Sequence, residues 1–383
     1  MSIYLDNAAT SGHRKVDDAI TDAMNTAMKT HWQNPSSLYA SDVKEEIAEC
    51  RNNIAKFINA KPDEIYFTSG ASESNNWAIR GWFDNTMTST SKVPNIITTQ
   101  IEHKSIIKLV QSNVLGSYVR YCDVDEFGLI DIQSLESLLC YYKNHPILVS
   151  ICMANNEIGT IQDIKKIAEL VHKYKCVLHV DATQAFGHIP IDVKALDVDM
   201  MSVSGHKISP VLKGIGFLYK KECIKIHPLI YGAQENELRG GTENTFGIIG
   251  LSKAIEHCDI SPKKINEMCK KRDYFIGLLE RKFDCELNGD SYYRLPNNIN
   301  VTFPQNITGE ALLYTLDLSD IQISTGSACN SKEIKPSYVL KKIGLSNEEA
   351  MRTVRFSLSD DTAYEEIDKV IEEIEKAIKL IET

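Results

Sequence analysis

The chain has 383 residues, 43% hydrophobic and 25% charged, the balance of a globular protein long enough for two cores. Its formal charge of −10, with no dense Lys/Arg run to offset it, would repel a phosphate backbone and argues against direct nucleic-acid binding. No apolar run reaches the ~18 residues of a membrane span, and the opening MSIYLDNAAT lacks the basic and apolar regions of a signal peptide, so a cytoplasmic location off the membrane is expected.

Val43, Ile47, Ile54 and Phe57 recur at helical spacing and predict a helix over about 37–58. EIYFTSG then reads as a strand entering a turn, and ASESNNWAIRGW as a helix. NIITT (95–99), ILVSICM (147–153), CVLHVD (176–181), DMMSVS (199–204) and GIGFLY (214–219) read as short buried strands, with helical segments such as DIKKIAELVHKY between several of them. That alternation predicts an α/β fold with a mainly parallel sheet. Beyond about residue 260 the pattern changes. A polar helix over 261–282 leads to INVTF, IQIS and VRFSL, then to a final helix over 362–381, for which Thr362 and Glu365 fit a capping box. This part reads as a smaller α+β unit. Ten cysteines are scattered without a CxxC pair, which argues against a zinc ribbon or a disulfide framework, and no metal is expected.

In open α/β sheets, ligands bind beyond the carboxyl ends of the strands. Those ends read TSGASES (68–74), EHKS (102–105), NNEIG (155–159), HVDATQ (179–184) and SGHK (204–207), each polar and each following an apolar run. Gly70, Ala71 and Ser72 stand between a strand and a helix, where small residues let backbone N–H groups approach an anion. Asp181 closes a strand. Such an Asp is ordinarily a turn or cap residue, but it can also pair with a protonated ring nitrogen. Lys207 is either a solvated loop lysine or a desolvated amine able to form a Schiff base. His103 is either structural or stacked on a ring. Pyridoxal phosphate needs a lysine for its aldehyde, a carboxylate for its ring nitrogen and an anion cradle. Lys207, Asp181 and the hydroxyls of Ser72 and Ser204 supply these parts.

The ordered set YLDNAAT, NPSS, FTSGASESNN, EHKS, NNEIG, HVDATQ, SGHK, KGIGFLY, RGGTEN, TGSAC, PSYVL and RFSL closely resembles the NifS/IscS-type cysteine desulfurases of the aminotransferase class V family, nearly end to end. The resemblance implies the architecture of fold-type I pyridoxal phosphate transferases. A large domain (15–260) would hold a mainly parallel seven-stranded sheet, and a smaller α+β domain (1–14 and 261–383) would carry a mobile loop with the catalytic cysteine. It further implies a reaction, L-cysteine to L-alanine, with sulfur left as a persulfide on Cys329. Lys207 matches the lysine that binds the cofactor, His103 the stacked proton carrier, Asp181 the ring-nitrogen partner and Gln184 the ligand of the ring's phenolic oxygen. Ala71, Ser72, Ser204 and His206 match the phosphate site, and Thr242 a phosphate contact made across a homodimer. Asn156 and Arg355 match the substrate-carboxylate site, an arginine being apt for its two-pronged geometry. Asn34 is expected near the substrate.

Cys329 sits among Gly326, Ser327 and Ala328, and these thin neighbours fit a nucleophile that must reach both a cofactor and an acceptor. The acceptor would be an iron–sulfur scaffold, a tRNA-thiolating protein or a DNA-sulfur-modifying protein. The chain departs from the family's pattern after Lys207, where SGHKISPVLKGIG places five residues before Lys213 and lacks a Gly-Pro. A selenocysteine lyase or another class V enzyme is the alternative, and a non-catalytic scaffold is a third reading, opposed by the retention of Lys207, Asp181 and His103.

Overall fold

The computed structural model describes residues 2–12, 15–304, 307–325 and 335–381. Seven strands form the main sheet: β1 (Ile65–Thr68), β2 (Asn95–Thr99), β3 (Val119–Cys122), β4 (Ile147–Cys152), β5 (Val177–Asp181), β6 (Met200–Ser204) and β7 (Gly216–Lys220). Their spatial order is β1-β7-β6-β5-β4-β2-β3. Neighbours from β6 to β3 pair in parallel, and β7 runs against both β6 and β1. The mainly parallel α/β fold is therefore present.

The strands read as unbroken apolar runs because helices cover both faces of the sheet. Every residue of β4 is buried. Its Ser150 and the Ser202 of β6 flank His179 of β5, and each hydroxyl lies 2.9 Å from one ring nitrogen. Burial holds this histidine near pKa 4, so it is a neutral polar bolt inside the sheet. On one face, helices Lys15–Thr30, Ser41–Phe57 and Thr245–Glu256 pack into the largest core, with Ile20, Val43, Ile54 and Leu251 fully covered. On the other, Trp77, Phe83, Leu148 and Leu218 form a second core. A third core draws Ile3 and Leu5 together with Phe275, Val301, Phe356 and Ile371. The four-stranded sheet associated with it joins Ser324–Thr325, Thr353–Ser357, Asn298–Thr302 and Glu286–Leu287, in that order.

Several boundaries differ from expectation. The predicted helix at 37–58 is Ser41–Phe57, and the one at 261–282 is Pro262–Phe283. Helix Lys15–Thr30 and strand β3 were not predicted, although Val16, Ile20, Ala23 and Ala27 recur at helical spacing. The helix exposes Asp18, Asp22, Thr26 and Thr30 and buries Asp17, Ile20 and Ala27, and β3 is a four-residue edge strand whose Arg120 and Tyr121 are half-exposed. The final helix begins at Tyr364. The predicted Thr362–Glu365 capping box is not formed. Thr362 instead accepts from Ser359 N (2.9 Å), and Glu366 accepts from Ala363 N (2.9 Å), so the reciprocal carboxylate acts one residue later. No helix among the described residues is long and apolar enough to cross a membrane, and no cluster of His, Cys, Asp and Glu among them could hold a metal ion.

Candidate active site

Parallel pairing brings the carboxyl ends of the strands to one edge. Cys152 of β4 pairs in register with Asp181 of β5, and Asp181 with Ser202 of β6. Above that edge lies a cavity of about 650 Å³. It is lined by Ala71, Ser72, His103, Asn156, Asp181, Gln184, Ser204, His206, Lys207 and Arg355, residues scattered over most of the chain that the sequence had singled out separately.

Lys207 ends a single turn, Gly205–Lys207, that follows β6. Its Nζ donates to the carbonyls of Ala8 and Ala9, both at 2.7 Å. Burial, and then the nearby Arg355 charge, lower its pKa to about 8, while Asp6 and Asp181 oppose that fall. An amine held there has a much larger neutral fraction at neutral pH than an ordinary lysine, as imine chemistry requires.

Asp181 is buried at the end of β5 and fully engaged. Its Oδ2 accepts from Asn75 Nδ2 (2.7 Å), and its Oδ1 accepts from Thr183 N (3.0 Å) and from the Thr183 hydroxyl. Asn75 also donates to Ser105 Oγ (3.0 Å), which lies 2.9 Å from His103 Nδ1. A single asparagine thus links the carboxylate to the histidine's neighbourhood. The His103 pKa is lowered, first by desolvation and also by Lys207, against the pull of Asp181. Gln184 Nε2 donates to Ala8 O (2.9 Å).

The turn after β1 is built thin. Gly70 has φ 145°, a conformation that favours glycine, and a Cβ there would meet Ser204 Oγ at 3.3 Å. A Cβ on Gly216 would meet Gly70 Cα at 2.7 Å, so β7 can pass beneath the turn only as glycine. Glu73 pins the turn. It accepts from Ser69 N (2.8 Å) and pairs with Arg239 through Nε (2.8 Å) and Nη2 (3.1 Å). His206, held near pKa 4 by burial and then by the charges of Lys207 and Lys213, is neutral and lies 3.1 Å from Thr10 Oγ1. A phosphate group suits this wall of small residues, hydroxyls and neutral imidazole beside a helix start.

Arg355 projects from strand Thr353–Ser357 into the cavity. Nη1 donates to Asn156 O (2.9 Å) and Nη2 to Asp6 Oδ1 (2.6 Å). Its Nε is buried and has no hydrogen-bond partner among the described residues. The altered stretch after Lys207 is settled by a contact between two buried residues, in which Ser209 Oγ donates to Asp17 Oδ1. Lys213 and Gly214 then return to line the cavity.

Two candidates lie elsewhere, and a third is outside the described residues. Asn34 sits in an exposed turn, its Oδ1 accepting from Ser36 N (2.9 Å), and does not line the cavity. Thr242 is exposed and also lies off the cavity wall of this one chain. Cys329 lies outside the described residues. Sequence reasoning did not single out Asn75, Thr183, Glu73, Arg239 or Asp6. All five stand inside motifs that were visible, but nothing in those motifs announced that these side chains buttress another residue.

These residues fit pyridoxal phosphate. A lowered-pKa amine, a buried carboxylate with fixed donors, a cradle too tight for a Cβ and an arginine with an unpartnered buried Nε face one cavity of adequate volume. Comparison with known proteins agrees. The aminotransferase class-V family profile matches residues 3–370. A relative named cysteine desulfurase IscS, from Dictyoglomus turgidum, is 41% identical over 100% of this chain and 95% of its own length. A solved structure called NifS-like protein superposes with a TM-score of 0.89 at 32% identity, covering 99% of this chain and 100% of that one. Another, SspA in complex with cysteine, gives 0.80 at 34% identity, covering 94% of this chain and 100% of that one.

Proposed function

The chain belongs to the aminotransferase class-V family and, within it, to the pyridoxal-phosphate-dependent cysteine desulfurases, and on that premise we propose that its strand-end cavity takes L-cysteine and leaves the sulfur as a persulfide on Cys329. The observation that carries this reading is the meeting of Lys207, Asp181 and Arg355 in one cavity. Bound pyridoxal phosphate supplies an electron sink and a carbonyl carbon for amines.

Lys207 holds the cofactor through its amine. Asp181, fixed by Asn75 and Thr183, would keep the proton on the ring nitrogen, and Gln184 would bond the phenolic oxygen. Ala71, Ser72, Ser204 and His206 take the phosphate. Arg355 and Asn156 would orient the substrate carboxylate, and His103, with its lowered pKa, would accept and return a proton. The Cys329 thiolate attacks the substrate sulfur. The carbon–sulfur bond breaks as a sulfur–sulfur bond forms, the carbon keeps the electron pair and gains a proton, and L-alanine leaves. The persulfide is then passed to an acceptor protein serving iron–sulfur assembly, tRNA thiolation or DNA sulfur modification. The working form is a cytoplasmic homodimer in which Thr242 reaches the partner's phosphate site. Exposure of Trp32, Leu38, Tyr39 and Tyr231 supports such an interface. The small domain comprises 1–14 and 261–383, and the large domain 15–260.

Cys329→Ser tests the mechanism. The variant should keep the cofactor's absorbance and change colour with L-cysteine, yet release no alanine, because a hydroxyl accepts sulfur poorly. Mass spectrometry of the wild type after L-cysteine should find added sulfur on the Cys329 peptide. Alanine release by Cys329→Ser at the wild-type rate would sink the proposal.

A further inference from the structure

Arg355 already has a carboxylate partner from its own chain. Asp6 Oδ1 accepts from Nη2 at 2.6 Å, with the arginine side chain 9% exposed and the aspartate 23%. A guanidinium so far removed from water needs a counter-charge. Among the described residues Asp6 is the only carboxylate in a salt bridge with it; Glu157 acts on it at longer range. The Asp6 backbone is held independently, since its carbonyl accepts from Ala9 N (3.0 Å) and Tyr4 OH (3.0 Å) and the residue bridges to Ser357. Its carboxylate is therefore free to exchange without unravelling the turn. Asp6 also supports the charged form of Lys207, which Arg355 opposes.

We propose that Asp6 is a placeholder for the substrate carboxylate: it neutralises Arg355 until the substrate arrives and is then exchanged for it, so that the site favours amines bearing a carboxylate. The proposal rests on Arg355 being the substrate-carboxylate residue. Exchange keeps the buried guanidinium paired at every stage. An amine without a carboxylate leaves Asp6 in place and gains nothing from Arg355.

The test compares the wild-type holoenzyme with Asp6→Asn, and with Asp6→Ser as a second neutral variant, using L-cysteine and cysteamine, which has the same amine and thiol without the carboxylate. With the competitor's charge removed, KM for L-cysteine should fall about three- to fivefold, while cysteamine binding, read from cofactor absorbance, stays unchanged. In the cofactor-free protein, the Lys207 titration should shift to lower pH, followed by NMR of the methylated amine and assigned with Lys207→Arg. The placeholder role is overturned if variants that melt like the wild type show an unchanged or raised KM for L-cysteine, or an unmoved Lys207 titration. A separate Arg355→Ala variant tests the premise. If its KM for L-cysteine equals that of the wild type, Arg355 is not the carboxylate site, whatever Asp6→Asn does.

Discussion

Glu102, the residue before His103, should be a neutral acid at neutral pH, and replacing it with glutamine should change how stability depends on pH. Its side chain is 1% exposed. Thr99 Oγ1 donates to Oε1 (2.6 Å), while Oε2 is buried without a partner among the described residues. The ionisable groups around it are Asp181 and Cys152, neither of them a cation, and Tyr338, whose hydroxyl donates to the Glu102 carbonyl. Desolvation is the chief cause that lifts its pKa from 4.5 to about 8; the Thr99 bond opposes it, Asp181 adds to it, and weaker polar contacts with the backbone and thiol of Cys152, too long to count as hydrogen bonds, also oppose it.

The sign follows from proton counting. A carboxyl with a raised native pKa binds its proton more tightly in the fold than in the unfolded chain. Below the ordinary value both states are protonated and the group is neutral to stability. As pH climbs from 4.5 toward about 8, the unfolded chain alone gains by ionising, so native stability falls; above about 8 the loss is complete. At ~1.4 kcal/mol per pH unit, the span of roughly 3.5 units sets a ceiling of about 5 kcal/mol. Glu102→Gln cannot ionise and escapes the loss. Urea denaturation of both cofactor-free proteins, followed by tryptophan fluorescence from about pH 5 to about pH 8, should show their free energies diverging, with the glutamine variant increasingly the more stable. In the infrared, a protonated-carboxyl stretch present at neutral pH in the wild type should vanish from the variant. Parallel stability curves together with an unchanged infrared band would refute the buried neutral acid.

Ser209→Ala removes the hydroxyl that donates to the buried Asp17 carboxylate. It should cost about 1–3 kcal/mol in urea denaturation and loosen the loop that returns Lys213 to the cavity, and an unshifted midpoint would show that the contact is dispensable. Mixing Lys207→Ala chains with Thr242→Ala chains should restore activity in verified heterodimers if one subunit completes the other's phosphate site; no recovery would argue for self-contained sites.

What the sequence disclosed depended on how local each feature was. The strands NIITT and DMMSVS and the helix at Ser41–Phe57 were legible because apolar runs and helical spacing are properties of neighbours in the chain. The lysine, the aspartate and the small-residue turn were legible because each stood at a strand end, and parallel pairing gathers strand ends at one edge. The supports were not legible. Asn75 reaches Asp181 across 106 positions and Arg239 reaches Glu73 across 166, and no spacing rule connects such pairs. Thr362 misled because a capping box is inferred from spacing alone, whereas the buried hydroxyl took a backbone donor on its other side, Ser359 N.

The motif PSYVL carries no reactive group, yet the structure gives it a task. Ser337 caps helix Tyr338–Lys342 by accepting from Val339 N (3.1 Å) and Leu340 N (3.3 Å), and its hydroxyl also donates to Glu157 of NNEIG. Tyr338 bonds the Glu102 carbonyl of EHKS, and Val339 and Leu340 pack on Ile101 and Ile158 beside those same motifs. One short stretch thereby fixes the two strand-end loops that carry His103 and Asn156. On the other side, Ser324 and Thr325 pair with Arg355 and Val354. Cys329 stands four positions beyond Thr325 in the sequence, next along the chain from the short strand that pairs with the one carrying Arg355.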